Sequence, residues 1–553
     1  MSRTARKFVR VTKFLLAGVT IFCVSWMACV NEWRSGVRWK EHGNVQENLS
    51  TMRTIVGYSE GKQAELDRPS PEACSRLPAF PKIPFINQTW FPGIQDSTWQ
   101  GVEGTSVSLY SAYYDERSPQ RYIRVLAAFH GRNISSEKPL FCQTRSIDAN
   151  DYSVEVVAAK PLEIWWNEWD NSSTHVETPV LLSCPLTEPL TEPSIISIVT
   201  EPCDDPSNGF YIRKIHLSLQ YKRTFTICVK DLKFKNDISQ NLVEWIETNK
   251  LLGAEKIDMY IDSLSKESED VLLRYRSQGY IRLFQVPIKH KNERSLWQRR
   301  RDHIISYNDC LYRNIIESKY IVPLDIDEIL LPKIAYTWSG LFKRLKYQGW
   351  NPNQYSAILV RNVFFFDFMQ GIHSYKPSKH TNETKIYIKR DDVRIGNSNE
   401  QSLVVSEIEL IDDTSYFKYN FNNNNLNDDY DIIKYRSECD KDLPIPKLAS
   451  HIFSSAVISP TGHYSKSFML TKRVLTAFNH YPLASLGTAG IAGWSAPFSE
   501  VQINHYKDSC NTTVVTECEL YAKRARVDRS ALRLRRPLIK AMATAICSKV
   551  NSV

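Results

Sequence analysis

The sequence predicts an α/β fold with a mostly parallel sheet, preceded by a small β-rich domain and an N-terminal transmembrane helix. Three observations carry that prediction. Strand and helix patterns alternate from residue 223 to 328, short aromatic and β-branched runs fill residues 106–157, and an uncharged apolar run of 17 residues occupies 14–30.

The alternation begins with Arg223-Thr-Phe-Thr-Ile-Cys-Val229 as a buried strand, followed by an amphipathic helix over 238–252 that Gly253 closes. Strands at 256–261, 280–286 and 319–324 follow, with helices at 266–276 and 296–314 between them. Strands separated by helices at this spacing imply βαβ units. Upstream, the runs VSLYSAYY and YIRVLAAF read as strands of a β-rich domain over 80–205, with a Pro-rich boundary near 184–206. Downstream, residues 335–505 carry further strand signals, including 356–368, and 422–427 is an Asn-rich loop. The resulting division is a tail (1–13), a span (14–30), a stem (31–79), the β-rich domain (80–205), a larger α/β domain (206–520) and a basic C-terminal segment (521–553).

The apolar run is long for a signal-peptide core, and Ala28-Cys29-Val30 is a poor cleavage site, so it reads as an uncleaved signal anchor. Arg3, Arg6, Lys7, Arg10 and Lys13 precede it, which places the N-terminus in the cytosol and the rest in the lumen. Six N-x-Ser/Thr sequons (Asn48, Asn87, Asn133, Asn171, Asn382, Asn511) all follow the span. Ten cysteines also follow it, an even number that suits up to five disulfides in an oxidising compartment.

The net charge of +9 sits at the two ends, with eight basic residues against Asp528 in 523–540, and the body is slightly acidic. Charge so distributed, on a lumenal chain, excludes nucleic acid as a partner. The basic C-terminal run reads as a solvated helix face ending at Pro537, with membrane or acidic glycan as the other reading.

In open α/β sheets ligands bind beyond the carboxyl ends of the strands, and the fourth strand runs straight into Asp325-Ile-Asp327-Glu328. Two carboxylates leaving a strand suit Mn²⁺ or Mg²⁺ bound to a diphosphate; the competing reading is a turn or helix cap. A second copy, Asp429-Tyr430-Asp431, lacks a preceding apolar strand and reads as loop. Trp165, Trp166 and Trp169 read as core before they read as sugar-stacking faces.

Ser111-Ala-Tyr-Tyr-Asp-Glu-Arg117, Ile123-Arg-Val-Leu-Ala127, Cys142, Cys228-Val-Lys, Val243-Glu-Trp-Ile246 with Gly253-Ala-Glu-Lys256, Asn308-Asp-Cys-Leu-Tyr312 and Lys319-Tyr-Ile-Val-Pro-Leu-Asp-Ile-Asp-Glu328 together resemble glycosyltransferase family 92. The resemblance spans about residues 105–510. It implies a type II membrane protein with a GT-A-like nucleotide-sugar-binding domain, acting as an inverting galactosyltransferase with UDP-galactose and Mn²⁺. It further implies that Asp327 binds the metal and that Asp325 contacts the ribose or a metal-bound water, with Glu328 in support. His480 resembles the family's late histidine, which would complete the metal shell, and Lys466 a lysine that would meet a phosphate. His505-Tyr506 also matches, without an assigned role.

Inversion needs a carboxylate that deprotonates the acceptor hydroxyl. Asp367, just after Val363-Phe-Phe-Phe366, is the first choice, with Glu383 and Asp391 in reserve. Phe366-Asp-Phe-Met369 departs from the small Gly/Ser-containing stretch that the family carries there. The expectation is a Golgi or ER single-pass glycosyltransferase with a UDP-sugar donor and a glycan or glycoprotein acceptor, core fucose of N-glycans included. The alternatives are a catalytically silent lectin-like or scaffolding protein of the same fold and a metal-dependent hydrolase.

Overall fold

The computed structural model describes residues 74–94, 98–146, 154–166, 170, 175–187, 193–213, 220–289, 294–370, 375–377, 386–389, 407–410, 446–487, 493–510 and 518–547. The expected tail, span and most of the stem lie outside these residues, as do Trp169, Glu383, Asp391 and the second D-x-D copy. Among the described residues no helix is long and apolar enough to cross a membrane.

The β-rich region is two sheets face to face. One holds β1 (Gln100–Gly101), β2 (Ser108–Asp115), β3 (Tyr122–His130), β7 (Glu177–Pro185) and β6 (Lys160–Glu163) in that order. The other holds β5 (Val154–Ala158), β4 (Phe141–Ser146), β8 (Pro193–Val199) and β9 (Phe210–Tyr211). Leu109, Ile123, Val125, Phe129, Val180 and Leu182 from one face meet Val157, Ile196 and Ile198 from the other. The disulfide Cys142–Cys184 staples β4 to β7 across that core. Trp165 and Trp166 are buried, as the core reading expected.

The following sheet contains β12 (Ile281–Gln285), β11 (Lys256–Ser263), β10 (Arg223–Lys233) and β13 (Ser318–Pro323) in parallel. Helices α1 (Ser239–Leu252), α2 (Lys266–Ser277) and α3 (Leu296–Asn314) connect them, within a residue or two of expectation. Gly253 ends α1 at φ 104°, where its N–H reaches the carbonyls of Asn249 and Lys250; a side chain there would be strained. Beyond β13 the sheet turns antiparallel: β17 (Lys466–Leu470) pairs with β13 and with β15 (Ala357–Val360), and β18 (Gly493–Ser495) closes the edge.

A three-stranded sheet joins β14 (Glu328–Pro332), β19 (Val501–Lys507) and β16 (Asn362–Phe366). The run 356–368, a single strand signal in the sequence, is thus two strands in different sheets with Arg361 between them. Two buried tryptophans hold β14 in place: Trp245 of α1 donates to the Glu328 carbonyl at 2.9 Å, and Trp338, opening α4 (Trp338–Tyr347), donates to Leu330 at 2.8 Å. The basic C-terminal segment differs from a helix closed by Pro537. A strand at Arg524–Val527 precedes α5 (Arg535–Cys547), and Pro537 lies in its first turn, where a missing N–H breaks no helical bond.

Next to Trp245, the buried Glu244 carboxylate accepts from the Leu448 N–H at 2.5 Å. Burial pushes its pKa up to about 7, and it pushes the Asp302 carboxyl up to about 6. Because the folded-state values lie above those of the unfolded chain, this stability is full only below about pH 4, declines above it, and is lost by about pH 6 for Asp302 and pH 7 for Glu244. Thermal midpoints of the wild type should therefore fall between pH 5 and pH 8. Those of Glu244→Gln should fall less, the remaining Asp302 contribution being gone by about pH 6.

Candidate functional site

The chain reverses between β13 and β14, so that residues 325–328 form one turn at the carboxyl end of the parallel strands. Glu328 N–H donates to the Asp325 carbonyl and Asp325 N–H to Glu328 Oε2, both at 3.1 Å. Glu328 is therefore a cap that shapes the turn. Asp325 and Asp327 keep side chains 23% and 37% exposed, and Glu328 only 4%.

Three ammonium groups meet these three carboxylates. Lys230, past the disulfide-bonded Cys228 on β10, lies 3.1 Å from Asp325 Oδ2. Lys466, opening β17, lies 3.1 Å from the same oxygen and 3.2 Å from Glu328 Oε2. Lys507, ending β19, donates to Asp327 Oδ2 at 2.6 Å. Burial opposes ionisation of both aspartates, but Lys230 and Lys466 outweigh it at Asp325, and His505 with Lys507 at Asp327, holding both carboxyls well below the usual range.

His505 stands two residues before Lys507, hence on the same face of β19. Its Nε2 is 3.4 Å from Asp327 Oδ2 and its Nδ1 3.6 Å from Glu328 Oε1. Both ring nitrogens are buried without a hydrogen-bond partner, and the ring stacks on Phe364 at 5.0 Å. An imidazole held in place with its nitrogens unspent, beside an oxygen ligand, fits a divalent transition metal. Among the described residues no group of three or more His, Cys, Asp and Glu is gathered to hold an ion by itself.

His480 also reaches this region, on the Asp325 side. Its Nδ1 lies 2.7 Å from the Ser465 carbonyl and its Nε2 3.2 Å from Asn479 Nδ2. Burial, then the nearby Lys466, pushes its pKa down to about 3, so the ring is neutral. Lys466 itself is 1% exposed and also donates to Asn479 at 2.9 Å.

Asp367 follows Phe366, which is in register with Lys507, so it stands at the same end of the three-stranded sheet as Asp327. Its carboxylate pairs with Lys447 Nζ at 2.8 Å and His451 Nε2 at 2.9 Å. Around the ends of β10 and β11, Arg294 gathers Asp231 (3.3 Å), Asp262 (2.7 Å) and Asp302 (2.7 Å), and His303 lies 3.4 Å from Asp231.

Residues 223–534, more than half of the chain, match glycosyltransferase family 92. The chain belongs to that family. A β-1,4-galactosyltransferase of Caenorhabditis elegans, galt-1, is 23% identical over 327 residues, covering 56% of this chain and 67% of that protein. A solved ferredoxin-NADP⁺ reductase from Plasmodium falciparum with 2′P-AMP aligns at 9% identity over 39% of this chain and 85% of that one, with a TM-score of 0.09, too slight to bear on the fold. As a family 92 member the chain is a glycosyltransferase, built on a mixed α/β fold.

Of the residues singled out in the sequence, Asp325, Asp327, Glu328 and Lys466 share one cluster; His480 borders it and Asp367 stands at its sheet end. Lys230, His505 and Lys507 had been given no role. The position of Lys230 at the carboxyl end of the strand beside β13 was a usable signal, as was the alternation that aims His505 and Lys507 the same way.

The two lysine environments separate by mutation. Lys466→Ala would strand two partly or fully buried carboxylates, and should cost about 3–5 kcal/mol of stability in denaturant unfolding. Lys507→Ala, at a third-exposed side chain, should leave the fold within about 1 kcal/mol of wild type.

Proposed function

We propose that the protein is an inverting, metal-dependent galactosyltransferase that moves galactose from UDP-galactose to a glycan acceptor, core fucose of N-glycans among the candidates. The observation that carries this reading is the proximity of Asp327 to a buried His505 whose ring nitrogens make no hydrogen bond, at the carboxyl end of the sheet. Family membership and similarity to the Caenorhabditis elegans β-1,4-galactosyltransferase support galactose as the donor sugar.

In this reading the domain is GT-A-like, and Asp327 and His505 would hold Mn²⁺, with Asp325 left to contact the ribose. The metal, when bound, would neutralise charge on the departing diphosphate. Lys507 lies against Asp327, where its ammonium would meet a phosphate oxygen as a point charge. Lys466 and Glu328, both deeply buried, keep the turn in shape, and His480 braces Lys466 through Asn479.

Asp367 takes the acceptor proton, directly or through His451, to which its carboxylate is hydrogen-bonded. Burial opposes ionisation of this carboxyl, but hydrogen bonds from His451 and Lys447 outweigh it and hold it below its usual range. The chain is proposed to be held in the Golgi or ER membrane by residues 14–30, with everything after them lumenal, on the strength of the apolar run and the basic residues before it.

A silent binding protein is the second reading, favoured by the three ammonium groups that already neutralise the three carboxylates. Full-length protein in detergent, given a panel of UDP-sugars, Mn²⁺ and N-glycans, separates the two. Galactose transfer that chelator abolishes, and that Asp327→Ala and His505→Ala each lower more than 100-fold, is the expected result. His480→Ala should lower it less than His505→Ala; the reverse order would move the metal to the Asp325 side. Folded wild-type protein that neither binds UDP nor transfers any sugar would leave the silent reading.

A further inference from the structure

At the far end of the three-stranded sheet, roughly 15 Å from the acidic turn at about 3.3 Å per residue, three cations converge on one aromatic ring. Lys333 Nζ lies 4.3 Å from the Phe498 centroid, the Arg526 guanidinium 4.8 Å and the Arg361 guanidinium 5.4 Å. The residues come from separate parts of the chain. Lys333 follows β14, Phe498 precedes β19, Arg361 links β15 to β16, and Arg526 is in the strand Arg524–Val527.

A phenyl ring offers two negative faces and a positive edge, so two cations can each take a face while a third must share a face or meet the edge. Arg526 also donates from Nε to Ser454 Oγ at 3.3 Å, so the ring does not carry all three by itself. The carboxylates nearby are already committed. Asp528 accepts from Gln502 Nε2 at 2.6 Å and from the Ser530 N–H at 3.0 Å and hydroxyl at 2.5 Å, and stands 3.9 Å from Arg526 Nη2. Glu500 is held by Arg344 at 2.6 and 2.8 Å and by Gln348 at 2.6 Å.

Among the described residues no carboxylate lies within ion-pair distance of Lys333 Nζ or of the Arg361 guanidinium, and the Arg361 Nε is buried with no hydrogen-bond partner. Burial lowers the pKa of Lys333, and the Asp528 carboxylate, beyond ion-pair distance, only partly offsets it. Tyr336, 75% exposed, stands beside this group with the Arg533 guanidinium 5.4 Å from its ring, and Arg533 donates to the carbonyls of Pro332 and Lys333.

We propose that Lys333, Arg361 and Arg526 around Phe498 form a second binding site, separate from the acidic turn, for a tetrahedral oxyanion of the sulfate or phosphate monoester class. Arg361 presents a planar fork suited to two oxygens of such a group, and Lys333 a point charge for a third. The exposed Tyr336 offers a face on which the carrier of the ester can rest.

The test uses the full-length protein in detergent with inorganic sulfate and galactose 6-sulfate as probes, their affinities read by titration calorimetry. Wild type should bind both, and saturating UDP should leave that binding unchanged. The double variant K333Q/R361Q should bind at least 10-fold more weakly, while R361K, which keeps the charge and loses the fork, should fall between. If the double variant does not fold, K333Q alone makes the same comparison, weaker binding supporting the site and unchanged binding overturning it. Equal affinity in wild type and double variant, or displacement of sulfate by UDP, overturns the proposal. So does capture by phosphatidic acid vesicles without binding of either soluble anion, which would make this a membrane-facing surface. Tighter binding of the sugar ester than of free sulfate supports the site and names a saccharide as the carrier.

Discussion

Three carboxylates within four residues, two of them only partly reached by water, cannot stay ionised in a folded protein unless cations are brought to them. That constraint organises much of the molecule. Lys230 comes from β10, Lys466 from the start of β17 and Lys507 from the end of β19, so the charge balance of one turn ties together both sheets of the catalytic region. An exchange with a divalent metal and a diphosphate carrying two negative charges would preserve that balance. A site already neutral can thus be both stable without ligand and receptive to one.

The helix that flanks this turn is held from both sides. Cys310 of α3 is disulfide-bonded to Cys228 of β10, two residues before Lys230. From the β-rich region, Tyr113 donates to Asp309 of α3, which also accepts from Tyr260 at 2.5 Å and from Arg313 at 2.5 Å. Asp170 pairs with the fully buried Arg301 at 2.7 Å. Removing one member of such buried pairs leaves an uncompensated charge. The two-sheet region therefore fixes the helix that carries His303 and Tyr307 toward Asp231 and Asn479, which is more than a detached binding module would do.

The two late histidines, alike as sequence signals, have different surroundings. His480 and His505 are both near the acidic turn, yet one has its nitrogens engaged by Ser465 and Asn479 while the other has none engaged and faces a carboxylate. What separates them is strand pairing. The β14–β19 register sets Glu328 opposite His505, and the Tyr506 N–H bonds to the Asp327 carbonyl at 2.8 Å.

Local and periodic information was legible in the sequence. The β10–α1–β11–α2–β12–α3–β13 series was readable because each element carries its own apolar period and end signals, Gly253 among them. Asp325 and Asp327 were readable because an apolar strand runs directly into them. The buried Trp165 and Trp166 were foreseen as core, and the partition of 356–368 between two sheets was not, since a strand signal does not say which neighbour it will pair with. The site's lysines and His505 lie up to 277 residues apart along the chain, from Lys230 to Lys507. The sequence determined which groups could titrate, ligate or bear charge. Only the tertiary structure decided which of them meet, because burial and cross-strand register, set by contacts distant in sequence, choose the partners.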